Sequence, residues 1–145
     1  MNTKYSDIFE LVLALISSYK IDDLYIKDGE DGITTFFIPY LKIASGELEN
    51  RGSEIDLSDR DDSLREFNSK LTDGKQLIVA KYVMIGYLSK ETYDIMQMQL
   101  HLQDGDFKTY AEKNNLDGKL SALYMLKEEV GYDVKRAGYN GYTWV

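Results

Sequence analysis

The chain has no cysteine, one proline (Pro39), one histidine (His101) and one tryptophan (Trp144) among 145 residues. Without thiols there is no disulfide framework, zinc knuckle or thiolate nucleophile, which fits a reducing compartment and a scaffold that must not cross-link. A single histidine with no companion motif gives triad chemistry no basis, and zinc catalysis needs more nitrogen or sulfur ligands than one. At a helix end, His101 reads as a capping or interfacial residue. Basic side chains are the minority, 17 Lys and Arg against 25 Asp and Glu for a net charge of −8. That balance argues against a surface that seeks nucleic-acid phosphates. No apolar run approaches a bilayer span. The run Leu11 to Ile16 follows Asp7 and Glu10 and lacks a small-residue cleavage site, so it reads as a packed helix, with no sign of export.

What is present is a globular composition, 43% hydrophobic, 29% charged and 12% aromatic, in a length that suits one domain, 1–145. Tyr5, Ile8, Phe9, Val12, Leu15, Ile16 and Tyr19 follow helical spacing behind Ser6 as a cap. IKDGEDG, Ile26 to Gly32, reads as an exposed turn. Ile33 to Phe37 suits a strand or a helix; the helix is preferred, with Pro39 early and Phe36, Tyr40, Ile43 and Ala44 on one face. Thr72 is placed to cap KQLIVAKYVMIGYL, which is apolar on almost all sides and must be covered by other helices or by neighbouring subunits. Ser89 reads as the cap of a further helix ending near His101, with Tyr93, Met96 and Leu100 inward and Ile95 and Leu102 as further inward candidates. Asp104-Gly105-Asp106 reads as a stop, with Asp106 capping about two more turns. A last helix from about Asp117 carries Leu116, Leu120, Leu123, Tyr124, Val130 and Val134 as its core stripe. The expectation is a mainly α, four- or five-helix bundle-like subunit with its helical core at about 4–45 and 72–135. A long charged loop or β-hairpin excursion at 46–71 and an extended C-terminal tail at 136–145 complete it.

The acidic stretches are weighed for chemistry first. Neither KDGEDG nor DGD keeps the D-x-[DN]-x-[DN]-G spacing of a calcium loop, and Asp73-Gly74-Lys75 lacks the glycine run that cradles phosphate. No metal, cofactor or catalytic residue is assigned. The excursion carries Glu47, Glu49, Glu54, Asp56, Asp59, Asp61 and Asp62 interleaved with Arg51, Arg60 and Arg65. It reads as a charge-complementary exposed loop, then as a contact surface for another chain. A short edge strand at Glu54 to Leu57 is the most its alternation supports. The last residues, GYDVKRAGYNGYTWV, alternate glycines with Tyr132, Tyr139, Tyr142 and Trp144. Such aromatics anchor interfaces and cores alike, so packing on the chain's own core and on a neighbour stand level.

The order of pieces resembles the neck, or head-to-tail connector, proteins of tailed phages. The likeness runs from Phe36 to Tyr132 through Tyr40-Leu41 with Ala44, the acidic excursion, Phe67-Asn68, Leu71-Thr72, Gly86-Tyr87-Leu88, Asp106-Phe107-Lys108 and the last helix. The resemblance implies a non-enzymatic virion protein, assembled in the host cytoplasm as a homo-oligomeric ring of about a dozen copies. Its implied partners are the portal protein and a downstream neck or tail protein, with DNA passing through without sequence-specific binding and no membrane contact. Arg51, Arg60, Arg65, Tyr132, Tyr139, Tyr142 and Trp144 are the expected interface residues. A second reading, from another class, is a small acidic phage-encoded inhibitor that mimics DNA charge against a host enzyme.

Overall fold

The computed structural model describes residues 2–16 and 19–139, with side chains for 2–16 and 21–136. Within them the chain runs α1 (Tyr5–Leu15), α2 (Tyr19–Asn50), β1 (Arg60–Asp61), β2 (Glu66–Phe67), α3 (Asp73–Gln97), a 3-10 turn (Met98–Leu100), α4 (Asp104–Lys113) and α5 (Leu116–Tyr139). The expected class, mainly α with five helices and a small hairpin, is the one observed. No helix among the described residues is long and apolar enough to cross a membrane.

α3 is the axis. The Thr72 hydroxyl accepts the Lys75 N–H at 3.3 Å, and Asp73 sits in the first turn at the positive end of the helix dipole. Every position from Ile78 to Met84 is buried, as are Tyr87, Thr92 and Ile95. α1, α2 and α5 pack around it, so its covering comes from the chain's own helices. α1 brings Tyr5, Ile8, Phe9 and Val12, spaced to share one face. α2 brings Ile33, Phe37, Tyr40, Leu41, Ala44 and Leu48, and α5 brings Leu123 and Val130. α2 approaches α3 closely because position 86 is glycine: a Cβ there would lie 3.2 Å from the Tyr40 ring. The Tyr40 and Tyr87 rings then meet edge-on at 6.0 Å.

Several local expectations are corrected. α1 ends at Leu15 rather than Tyr19, and Lys4, not Ser6, occupies its N-cap, its backbone N–H donating to the Asp7 carboxylate at 3.0 Å. IKDGEDG is exposed as expected, with Ile26, Lys27, Asp28, Glu30 and Asp31 facing solvent, but it is helical on both sides of one break rather than a turn. α2 continues through it, broken only at Gly29 (φ 67°, ψ −155°), a backbone region essentially reserved for glycine. Burial of Ile21 before the break and Ile33 and Phe37 after it holds both halves helical against their local turn signals. Pro39 therefore lies well inside α2. α3 passes through Ser89 without a cap; the Ser89 carbonyl accepts the Thr92 hydroxyl at 2.9 Å. α4 starts at Asp104 behind Gln103, so Asp104-Gly105-Asp106 forms a first turn and Asp106 is not the cap. α5 stays helical to Tyr139, so the tail expected from 136 begins as helix; Tyr142 and Trp144 lie outside the described residues.

The excursion is ordered by the chain's own start. α2 ends on Gly52 (φ 65°), whose N–H bonds the Glu49 carbonyl while the Ser53 N–H bonds that of Leu48, both at 3.0 Å, a glycine-closed C-cap. The strand lies at β1 and β2 rather than at Glu54 to Leu57, although Ile55 and Leu57 are buried. Residues 3–5 bond to its far side: Thr3 N–H to the Ser69 carbonyl at 3.1 Å, Phe67 N–H to the Thr3 carbonyl at 2.8 Å, and Tyr5 N–H to the Arg65 carbonyl at 2.9 Å. The buried Thr3 hydroxyl accepts the Leu71 N–H at 2.7 Å.

Gly29→Ala is expected to cost about 1–3 kcal/mol in urea denaturation, because its backbone conformation excludes a Cβ. Gly46→Ala, inside α2 with open space around it, should instead gain about 0.5–1 kcal/mol. Equal effects at the two positions would contradict the break at Gly29.

Candidate functional site

The expected interface residues separate into different environments. Arg60 is turned inward: Nη1 donates to the Leu57 carbonyl at 2.8 Å and to Ser45 Oγ at 3.4 Å, and Nε pairs with Asp62 at 3.2 Å. Asp62 also accepts the buried Tyr5 hydroxyl at 2.6 Å, and that bond, assisted by Arg60, holds its carboxyl below the usual range despite some desolvation. The Tyr5 hydroxyl is pushed up, by burial first and then by Asp62. Arg65, in a left-handed conformation (φ 54°), pairs with Asp31 at 2.5 Å and donates to Thr35 Oγ1 at 3.3 Å. Both arginines tie the excursion to α2. Arg51 is exposed and stands over the Tyr82 ring, 5.9 Å from its centroid. Tyr132 is 61% exposed on α5. Tyr139 ends α5, its side chain outside the described set.

The acids of the excursion are also engaged locally. Asp56 accepts from the Ser58 hydroxyl and N–H, Asp61 from Ser63 and Leu64, and Asp59 from Asn68. The serine hydroxyls lower the Asp56 and Asp61 carboxyls first, with backbone N–H groups adding to the effect. Such turns hold the loop's shape. Among the described residues no three His, Cys, Asp or Glu side chains group as a metal site. His101 is exposed after the 3-10 turn, its N–H on the Met98 carbonyl at 3.1 Å.

Large apolar side chains group outward in three places, besides single ones at Leu15, expected in the α1 stripe, and at Ile43 and Leu64. Tyr93, Met96 and Leu100, expected inside, are 66%, 46% and 79% exposed at the end of α3. Ile95, also read as an inward candidate, is buried, as is Thr92; each is one residue out of phase with Met96 and Tyr93. On α5, Tyr124 was expected in the stripe with Leu123 and Val130, yet it faces solvent with Met125 and Tyr132. The third place is Tyr25 and Ile26, early in α2.

Sequence reasoning missed Lys81, a buried cation on α3. Its Nζ donates to Glu129 Oε1 and Asp133 Oδ2 on α5, each at 2.8 Å, while Arg136 pairs with the other Asp133 oxygen at 2.5 Å. A lone Lys in LIVAKYVMI was the available signal, since a buried charge demands a partner. Desolvation works against the Lys81 charge, but the hydrogen bonds it donates to Asp133 and Glu129 outweigh it and raise its pKa. For Asp133, burial pushes up and the Lys81 and Arg136 bonds win, leaving it lowered. This network fixes α5 on α3 and so sets the direction in which Tyr132 faces.

Comparison of the chain with protein-family models, curated proteins and solved structures finds no match in any of the three.

The Asp133 contribution is complete above the unfolded carboxylate value of about 3.9 and fades as pH falls through its lower folded value. The Lys81 contribution is complete below about 10.4 and fades as pH rises through its higher folded value. Lys81→Met should cost about 3–5 kcal/mol at pH 7 by leaving the half-buried Asp133 carboxylate without its Lys81 partner. Acidifying to pH 3, below the unfolded carboxylate value, should narrow the gap between variant and parent, because the parent loses the Asp133 contribution and the variant has little of it left to lose. Urea titrations at both pH values check that narrowing.

Proposed function

We propose that this chain is a virion structural protein, a head-to-tail connector subunit that forms a ring between portal and tail and lines the DNA path. One observation carries the reading. After α1, α2 and α5 have closed the core around α3, Tyr93, Met96 and Leu100, Tyr124, Met125 and Tyr132, and Tyr25 and Ile26 still face outward. Exposed apolar side chains gathered on helix faces mark surfaces that meet other proteins. The resemblance from Phe36 to Tyr132 supplies the class of assembly. Of its quoted residues, Tyr40, Leu41, Ala44, Phe67, Leu71 and Tyr87 fall in the buried core, while Asn68, Thr72, Asp106 and Lys108 are exposed.

The excess of 25 acidic over 17 basic side chains favours passage of DNA by repelling its phosphates. Competing against this reading is the acidic mimic. A charge mimic needs a row of free carboxylates, and the excursion's Asp56, Asp59, Asp61 and Asp62 are engaged by their own loop and by Tyr5. That engagement favours the connector.

Electron microscopy and sedimentation of the protein, alone and mixed with portal-bearing particles, should show a ring seated on the portal. Tyr124→Ser with Met125→Ser should weaken that assembly at least tenfold while changing stability by no more than about 0.5 kcal/mol. The ring should leave duplex DNA unshifted at low salt. A monomer that instead captures one host protein stoichiometrically, with affinity collapsing in salt, makes the protein an inhibitor.

A further inference from the structure

Two hollows adjoin where α2 ends beside α5, and Arg51 and Lys127 line both. The more enclosed, about 360 Å³, has Ile43, Tyr82, Ile85 and Val130 in its walls. The shallower continues along α5 past Tyr132 to Lys135. Tyr82 is 3% exposed, and its hydroxyl is the buried side-chain polar atom left without a hydrogen-bond partner among the described residues. Buried hydroxyls almost always find a partner. Burial, with Glu47 adding and Arg51 opposing, raises the Tyr82 hydroxyl, so its oxygen lies within the field of two residues that line the hollow. Arg51, Lys127 and Lys135 outnumber Glu47 and Glu128 in the lining of the two hollows, and with apolar walls and an unpaired hydroxyl they describe the complement: bulky apolar side chains flanked by carboxylates.

One described segment of this chain has that character, the part of α2 before the Gly29 break. Asp22, Tyr25 and Ile26 stand at i, i+3 and i+4 and share a face. Tyr25 is 55% and Ile26 82% exposed, the latter the most exposed large apolar residue described. Asp22, Asp23 and Asp28 are exposed around them. Half-buried Leu24 on the opposite side and buried Ile21 flanking Tyr25 hold the segment against the body, so the outer face is presented on a fixed support. A copy cannot fill its own hollow, because the helix from Gly29 to Ile43 rises roughly 21 Å and Ile26 lies within one turn of Gly29.

We propose that the Asp22–Tyr25–Ile26 face of one copy seats in the Arg51–Lys127 hollow of the next, a head-to-tail contact that repeats around the ring. The proposal rests on the assembly reading above. Its two surfaces differ and each copy carries one of each, which is the condition for a contact that propagates and closes. Carboxylates at 22 and 23 meet the cations at 51 and 127, fixing register as well as attraction.

The absence of cysteine makes the test clean. A chain carrying Ile26→Cys and Ile43→Cys, oxidised mildly as free protein and as assembled on portal-bearing particles, should give a ladder of dimers, trimers and higher species. Single-cysteine chains should give none alone and only the mixed dimer together. Lys127→Glu, a surface change checked by thermal melting to leave the fold intact, should weaken self-association at least tenfold, with Arg51→Glu adding to the loss. Mixing that chain with one carrying Asp22→Lys and Asp23→Lys should restore the contact. Rings that form normally with Lys127→Glu and show no crosslink between positions 26 and 43 overturn this contact while leaving the connector reading standing. Failure to associate with itself or with portal under any condition overturns both.

Discussion

Everything in this fold follows from the need to bury a helix that has no polar side. From Ile78 to Met84 α3 offers seven successive positions to the interior, and fully burying one Leu- or Ile-sized side chain is worth about 1.5–3 kcal/mol. One neighbouring helix covers only part of such a circumference. The chain therefore wraps α1, α2 and α5 around a single axis. Lys81, within that stretch, is tolerated because α5 delivers Glu129 and Asp133 to it. The same bonds choose which face of α5 turns in and leave Tyr124, Met125 and Tyr132 turned out.

A second layer of organisation ties the beginning of the chain to its middle. Thr3 bonds with Phe67, Ser69 and Leu71, and Tyr5 with Arg65 and Asp62. Arg60 and Arg65 then hold the excursion against α2. A charged stretch of more than twenty residues inside so small a unit is usually functional or ordered by a partner; here the partner is the amino-terminal segment of the same chain. Outside these ties the described surface keeps its exposed apolar side chains and the hollow beside Tyr82.

The sequence announced its helices more clearly than their orientation. Thr72 and the all-round apolar run behind it were legible because cap chemistry and continuous hydrophobicity need no tertiary knowledge. The break at Gly29 was signalled by the glycines and acids around it, but the helix on either side was hidden, because burial of Ile21 and Ile33 on one core is a tertiary fact. Facing was the harder problem. At the end of α3, Thr92 and Ile95 compete with Tyr93, Met96 and Leu100, and one residue of phase, about 100°, decides between them. On α5 the same slip separates Leu123 from Tyr124. Apolar spacing identifies a stripe but does not say whether the chain or another molecule covers it. Arg60 and Arg65 read as outward contacts because nothing local reveals Ser45, or Asp31 lying 34 positions away.

The pairing of residues 3–5 with 65–71 carries a consequence for synthesis. A nascent chain emerges amino end first at about 5–20 residues per second, so α1 and α2 leave the ribosome seconds before the helix that will shelter Phe9 and Phe37. During that interval their aromatic faces have only each other, at 5.4 Å in the finished molecule. Completion waits for translation to pass α3 and then α5, whose Glu129 and Asp133 close over Lys81, so the early helices keep their aromatic faces uncovered until the carboxyl-terminal helix has been made.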